Sequence, residues 1–352
     1  MASEARSLVY LPFKNKPLIS IIIVNYNGMP YLKNCLASLQ RSNYPNSEII
    51  LVDNASNDKS VEFVKENYPC VRIIENKQNL GFAAGNNVGI IAALGDYIFL
   101  LNPDTEIEPS CIQRLVEVLE KDPQIGVCGA KLLLVDKKNI LQHAGGKYHV
   151  IGISIDRGML ELDKGQYGKI EEVTFVCGAA MMVRRKLFSE IGMLDPTFFL
   201  YHEEVDFCIR TWFHGLKVVY VPTAVVYHKS GYITELNKRA SNPLTVFHKH
   251  KNTLIILLKN FSPLTVLFWF PVAILYKFFW ILVFLTKKDG PSALAVLKSI
   301  LWIFQNLDKI MENRRRMSKL KTVSERSLSH LFKAAGDAWY VFKKLSKFKL
   351  LK

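Results

Sequence analysis

Three short polar turns each follow an apolar run. They are Asn25-Tyr26-Asn27-Gly28 after LISIIIV, Asp53-Asn54-Ala55-Ser56 after EIILV, and Asn102-Pro103-Asp104-Thr105 after YIFLL. Taken singly, each is what any turn requires. Taken together they point to a site, because an open α/β sheet binds ligands outside the carboxyl ends of its strands. The stretch Asn79-Leu80-Gly81-Phe82-Ala83-Ala84-Gly85-Asn86-Asn87 opens a helix. Its glycines let backbone approach a ligand, and a helix N-terminus favours anions; close helix packing through Gly81, Gly85 and Gly89 is the alternative. Further along, His202 precedes Glu203-Glu204-Val205-Asp206. A hydroxyl is a poor nucleophile until a group of this kind takes its proton, although acidic residues also favour a helix start. His228 closes the run AVVYH.

The elements that must position these residues alternate in type. Leu18–Val24, Glu48–Val52, Val71–Ile74 and Tyr97–Leu101 read as strands. Tyr31–Gln40 has helical spacing, with Leu32, Cys35, Leu36 and Leu39 on one face. Asp58 is placed to cap a helix through Val61 and Val64, and Phe82–Leu94 and Pro109–Glu120 read as further helices. Such alternation predicts an α/β fold with a mainly parallel central sheet covered on both faces. Residues 135 to 172 are rich in Gly, Lys and Asp and read as loops or an acceptor-facing insert. Order returns at Val173–Val183, a short helix, and Lys217–Val221.

The net charge of +15 on 352 residues suggests nucleic acid until it is mapped, for residues 287–352 alone carry +11. A nucleic-acid reading needs a basic groove on the folded domain, so no nucleic-acid partner is expected. The six cysteines form no CxxC and most lie in apolar runs such as IGVCGA, as suits a reducing cytoplasm. No cleavable leader is expected from the N-terminal pattern.

The stretches IIIVNYNG, EIILVDNASND, NLGFAAGNNVGI, GDYIFLLNPDT, CGAAMMVRR, FFLYHEEVDFCIR and VVYH resemble, in order and spacing, the family 2 glycosyltransferases, in particular a rhamnosyltransferase-like branch with the GT-A fold. The resemblance runs from about Leu18 to His228. It implies that Asn25, Tyr26, Asn27, Asp53, Asn79, Gly81, Phe82, Gly85, Asn86 and Asn102 face a nucleotide-sugar donor. Asp53 would be the nucleoside contact, a carboxylate able to accept from a pyrimidine N–H or a ribose hydroxyl. It implies Mg2+ or Mn2+ at Asp104, with His228 completing the metal or diphosphate site. The family usually has two acids in this metal turn; here Asn102-Pro103-Asp104 supplies one. It implies Glu204 as catalytic base, with Glu203 and Asp206 in support. The Gln-x-x-Arg-Trp motif of processive members is absent, for the chain reads Ile209-Arg210-Thr211-Trp212, so non-processive, inverting transfer is expected. The resemblance points first to a dTDP-rhamnose donor, with UDP-sugars left open because uracil and thymine offer Asp53 the same ring N–H, and to a saccharide or lipid-linked acceptor in cell-surface polysaccharide synthesis. A nucleotidyltransferase of sugar activation and an inactive membrane scaffold are the rival readings.

Leu264–Thr286 has 23 residues, about 34 Å as a helix and enough to span a bilayer. Pro271 and the mid-segment Lys277 count against a span, since a central charge costs roughly 2.5–3.5 kcal/mol on insertion scales. A second apolar run covers Ala293–Leu307. Lys249, Lys251 and Lys259 lie before the first run and Arg314-Arg315-Arg316 after the second. Basic flanks prefer the cytoplasm, which predicts attachment to a membrane's cytoplasmic face, peripherally or by a hairpin. The expected division is an N-terminal extension (1–17), a GT-A domain (18–250), apolar membrane-associated helices (251–310) and a basic tail (311–352).

Overall fold

The computed structural model describes residues 16–229 and 242–332. Most of the expected N-terminal extension, and the tail beyond residue 332, lie outside them.

β1 (Ile19–Asn25), β2 (Ser47–Asp53), β3 (Arg72–Glu75) and β4 (Tyr97–Leu101) form a parallel half-sheet in the order β4-β1-β2-β3. The intervening helices are α1 (Met29–Gln40), α2 (Ser60–Asn67) and α3 (Gly81–Ala92). Strand β1 is apolar on both faces because it is buried on both: Ile22 joins one core cluster, Ile21 and Ile23 the other. Asp58 lies one residue before the N-cap of α2. Its carboxylate accepts from the N–H of Ser60 and of Met29, bonding the starts of α2 and α1.

Beyond β4 the sheet becomes mixed. β5 (Thr105–Ile107) leads into α4 (Cys111–Lys121) and the long β6 (Ile125–Leu134). Residues 135–172 hold β7 (Leu141–His143), the β8 (Gly146–His149) and β9 (Ile153–Asp156) hairpin, and β10 (Glu171–Glu172). Of Val173–Val183, only the last part joins a strand, β11 (Ala180–Arg184), which sits antiparallel between β4 and β6. Then come α5 (Arg185–Ile191), a 3-10 turn at Pro196–Phe198, α6 (Glu203–Phe213) and β12 (Lys217–His228). β12 pairs parallel to β6 and antiparallel to β5 and β10.

The C-terminal region is helical: α7 (Pro243–Asn260), α8 (Pro263–Thr286), α9 (Gly290–Gln305), α10 (Leu307–Lys319) and the short α11 (Ser329–Phe332). The expected boundary at residue 250 falls inside α7. Residues 251–260 of that helix are buried, with Leu254, Ile255, Ile256, Leu257 and Leu258 in the same core cluster as Ile22 and Leu100. At the end of α7, Arg314 donates to the Leu258 carbonyl and Lys321 to that of Asn260. Cations there satisfy the carbonyls left over at a helix C-terminus.

Candidate active site

Parallel register sets the first part of the site. Asn25 and Asp53 are neighbours at the ends of β1 and β2. The Asn25 amide donates to Asp53 Oδ1 (2.8 Å) and to the hydroxyls of Ser56 (3.0 Å) and Ser60 (2.8 Å). Asp53 also accepts from the Ser56 N–H (2.9 Å) and hydroxyl (2.6 Å). Asn27 holds a left-handed backbone (φ 53°), and its side chain accepts from Asn57 N–H at 3.0 Å. Tyr26 points outward, 54% exposed. The result is a rigid polar rim with one free aromatic.

The glycine-rich turn is built differently from an open anion cradle. The N–H groups of Phe82 (2.6 Å) and Ala83 (3.4 Å) donate to the carbonyl of Phe199. That protein oxygen occupies the α3 N-terminus. Gly81 has φ +78°, and a Cβ there would collide with the Phe199 backbone and ring, so glycine is required by both conformation and approach. Asn79 accepts from Gly81 N–H (2.8 Å). Gly85 packs against Val24 and Asn54, and the buried Asn86 donates back to the Phe82 carbonyl (2.9 Å). The turn thereby joins the loops after β1 and β2 to the acidic segment.

Antiparallel pairing of β12 with β5 sets His228 opposite Thr105, next to Asp104. His228 Nε2 lies 3.1 Å from Asp104 Oδ1, while Nδ1 lies 2.9 Å from Gln142 Oε1 on β7. With the Gln142 oxygen accepting the Nδ1 proton, Nε2 is turned toward Asp104. A metal-ligating histidine is held by its second ring nitrogen in the same manner. The Asn102 side chain reaches within 3.5 Å of His228 Nε2, and its buried Oδ1 has no partner among the described residues. One carboxylate, one imidazole and one unsatisfied amide oxygen fit a hard divalent cation that keeps other positions for phosphate and water. No cluster of three or more His, Cys, Asp or Glu able to hold a metal occurs among the described residues, so the protein set is a partial one.

The acidic segment starts α6 behind a strained loop. Phe199, Tyr201 and His202 have φ of 61°, 69° and 69°, a region disfavoured for side chains of this size. The loop is clamped from α7: the buried Asn252 amide reaches the carbonyls of Phe198 (3.0 Å), Leu200 (2.9 Å) and Tyr201 (2.7 Å), and Lys251 donates to that of Thr197 (2.6 Å). Glu203 is buried and its Oε2 has no partner. Burial, then the adjacent Glu204 charge, pushes its carboxyl well up, and its proton bridges to Glu204. Glu204 is half-buried. Burial raises its pKa to about 7, with the Asp156 charge acting in the same direction. A carboxylate so tuned accepts a proton efficiently near neutrality.

Asp206 stands apart. It is fully buried, bound to Arg210 Nε (2.9 Å), Lys259 Nζ (2.9 Å) and the Asn260 amide (2.7 Å). Lys259 also bridges to Asp195 (2.7 Å). These contacts fix α6 to α7.

One segment joins the two halves. Asn102 N–H donates to the Ala179 carbonyl (3.0 Å), and a Cβ on Gly178 would lie 3.4 Å from Glu204 Cβ and 3.4 Å from the Phe82 ring. Cys177-Gly178-Ala179 therefore runs from the Asp104 turn to Glu204. Sequence reasoning gave this segment, Gln142 and Asn252 no role. Gly178 had a signal in the CGAA stretch; the other two meet their partners only through the fold.

Residues 20–192 match the family described as Glycosyl transferase family 2. The chain is 28% identical over 256 residues to the N-acetylglucosaminyl-diphospho-decaprenol L-rhamnosyltransferase of Mycobacterium tuberculosis, covering 66% of this chain and 82% of that protein. It is 25% identical over 257 residues to the dTDP-rhamnosyl transferase RfbF of Shigella flexneri, covering 70% and 82%. Among solved structures, the mannosyltransferase PcManGT from Pyrobaculum calidifontis, in complex with GDP-Man and Mn2+, superposes with a TM-score of 0.51 at 15% identity, over 87% of this chain and 86% of that one. GalNAc-T7 with UDP, GalNAc and Mn2+ gives 0.52 at 21%, over 61% of this chain and 44% of that one. These two likenesses establish the GT-A fold.

Proposed function

The chain belongs to glycosyltransferase family 2, in its rhamnosyltransferase-like branch, and we propose that it moves a single sugar, rhamnose from dTDP-rhamnose, onto a saccharide carried by a membrane lipid. The carrying observation is Glu204: a carboxylate with its pKa raised to about 7, beside the loop that leads to the Asp104–His228 pair.

Asn25, Tyr26, Asn27 and Asp53 form the nucleoside side of the donor site. Asn79, Gly81, Phe82, Gly85 and Asn86 shape its wall and tie it to the acidic loop. Asp104 and His228, with Asn102 beside them, would hold Mg2+ or Mn2+. That ion's contribution when bound is to neutralise charge on the departing nucleoside diphosphate. Glu204 accepts the proton of the attacking hydroxyl, and direct displacement inverts the anomeric centre. Glu203, kept protonated by burial and by its neighbour, donates to Glu204 and fixes its orientation. Asp206 supports the site by holding α6 on α7.

Membrane attachment completes the reading. Among the described residues α8 is the one helix long and apolar enough to cross a bilayer, and only 11% of its most apolar window is buried. Its buried residues Ala273 and Lys277 face the protein, while Leu264, Leu267, Phe268, Leu275 and Leu282 are exposed. Exposed Leu294, Leu301 and Phe304 of α9 extend the same apolar surface. The two helices lie in the plane of the cytoplasmic leaflet, and the nearby lysines and arginines favour anionic lipid.

A donor screen tests the proposal. The purified full chain in detergent is given a panel of nucleotide sugars with Mg2+ or Mn2+ and a lipid-linked saccharide, and released nucleoside diphosphate is read. Release from dTDP-rhamnose above all others is expected. No release from any donor would sink the reading.

A further inference from the structure

Four basic side chains meet on the flank of Glu204 that faces α8. His202 begins the acidic segment; its Nε2 is 2.9 Å from Ser154 Oγ and its buried Nδ1 has no partner among the described residues. The buried Nδ1 of His250 on α7 is likewise without a partner, and its ring meets Trp280 edge-on at 6.2 Å. The Lys249 ammonium stands 4.7 Å over the Tyr201 ring. Lys277 is 1% exposed on a helix that is otherwise mostly exposed; its ammonium donates to Thr253 Oγ1 (2.8 Å) beside Gly152 at the β8–β9 turn.

These groups sit within one another's fields. Burial keeps His202 and His250 neutral at physiological pH, and the charges of Lys249 and Lys277 act in the same direction on both. Asp156 and Glu204 are the acids that offset Lys249, and Asp156 is also bound to His143 at 2.9 Å. The cluster therefore offers buried hydrogen-bond donors whose charged forms an entering anion would favour. Ammonium and imidazole N–H groups in such a setting make strong, charge-assisted hydrogen bonds to phosphate. On its far side lie Tyr276 and Trp280, then the exposed apolar face of α8. Glu204 (which lies within the field of Lys249), the donors of the cluster and the exposed apolar face of α8 therefore follow one another in space.

We propose that His202, Lys249, His250 and Lys277 bind the phosphate ester that joins the acceptor saccharide to its lipid, with the lipid chain leaving along α8. This rests on the reading above that the acceptor is lipid-linked. It specifies the linkage as phosphate or diphosphate and assigns its site. It also accounts for a lysine at the centre of an apolar helix, turned inward next to the reaction.

The test uses farnesyl diphosphate and farnesol in detergent micelles with the full chain, read by tryptophan fluorescence, since Trp280 borders the cluster. The wild type is expected to prefer the diphosphate by at least about tenfold. Lys277→Met and His250→Gln should each reduce that preference to below about threefold. Affinity for the nucleoside diphosphate, measured in the same preparations, reports that each variant is folded. Equal affinity of the wild type for both lipids, or retention of the preference by both folded variants, would overturn the proposal. So would variants that lose flotation on anionic vesicles while keeping the preference, because the cluster would then read bulk headgroups. Transfer assays on a diphosphate-linked and a neutral alkyl-linked saccharide separate the two readings. If the wild type transfers to neither, the glycosyl transfer onto lipid is wrong; if it transfers equally well to both, the phosphate site alone is wrong.

Discussion

Asn252→Leu should disable the enzyme without emptying its nucleotide site. Asn252 does not line the reaction centre; its amide reaches three carbonyls, those of Phe198, Leu200 and Tyr201. Leucine has similar volume and no donor, so those carbonyls lose their partner inside the protein. A buried acceptor left unsatisfied costs roughly 1–3 kcal/mol, and partial relaxation toward water brings the expected total to about 3 kcal/mol. The loop so released holds Phe199, Tyr201 and His202 in left-handed conformations, each costing of order 1–3 kcal/mol unless its surroundings enforce it. Relaxation there moves the start of α6, and with it Glu204. A displacement near 1 Å lowers turnover by about 10²-fold. The proposed nucleoside contacts follow β1 and β2, on other elements than α7, so nucleotide affinity should stay within about twofold. Steady-state release of nucleoside diphosphate gives kcat, calorimetric titration gives nucleotide affinity, and thermal unfolding gives stability. A variant with wild-type kcat would refute the clamp. Equal losses of kcat and nucleotide affinity would refute it too, by showing general collapse instead of a misplaced base.

Three further outcomes are expected. Glu204→Gln should slow transfer by roughly 10²–10⁴ with donor binding nearly unchanged. In the wild type kcat/KM should rise with pH through about 7 and then level, because Glu204 must be ionised to accept a proton and burial holds its pKa at about 7; the variant should lose that limb. Asp104→Ala should abolish metal-dependent turnover, and Gln142→Leu should weaken Mn2+ binding by about 10–100-fold, read by electron paramagnetic resonance in the presence of nucleoside diphosphate. Replacing Leu267, Leu275 and Leu282 by Ser should release the chain from anionic vesicles in flotation at high salt, while nucleotide affinity remains.

The half-sheet was legible because its signals are local. Strands such as ISIIIVN carry apolar residues toward both faces since both are buried, and the polar turns stand out at their ends. The other half is written in weaker signals. β12 reads as two pieces because Pro222 and a register shift between Val221 and Val225 interrupt it. β7, β8 and β9 have three or four residues each, too short for a periodic pattern, so Gln142 and Ser154 were hidden in a segment read as loop. Asp206 illustrates a different limit. Its place in the acidic run says nothing of Lys259 and Asn260, more than fifty residues away, which enclose it. Whether an acid in such a run faces solvent or a buried cation depends on the turn of the helix against α7.

Lys277 and Pro271 looked from sequence like objections to a membrane helix, and the fold turns both into constraints on how that helix lies. α8 continues through Pro271 without a break. Near one end, Phe270 packs on Phe304 of α9; near the other, Ile281 and Phe284 pack on Val246 of α7 and Val296 of α9; Ala273 and Lys277 are buried between. A helix held along its length in this way lies against the catalytic domain and does not project from it. The charge that would cost roughly 2.5–3.5 kcal/mol at a bilayer centre faces Thr253 instead of lipid. What remains outward is an apolar stripe, and each leucine or phenylalanine moved from water into the interface contributes up to about 1.5–3 kcal/mol when fully covered. The same inward turn that spares Lys277 from lipid directs it toward His250 and the flank of Glu204. The proposed attachment in the membrane plane and the proposed phosphate site therefore rest on one packing arrangement.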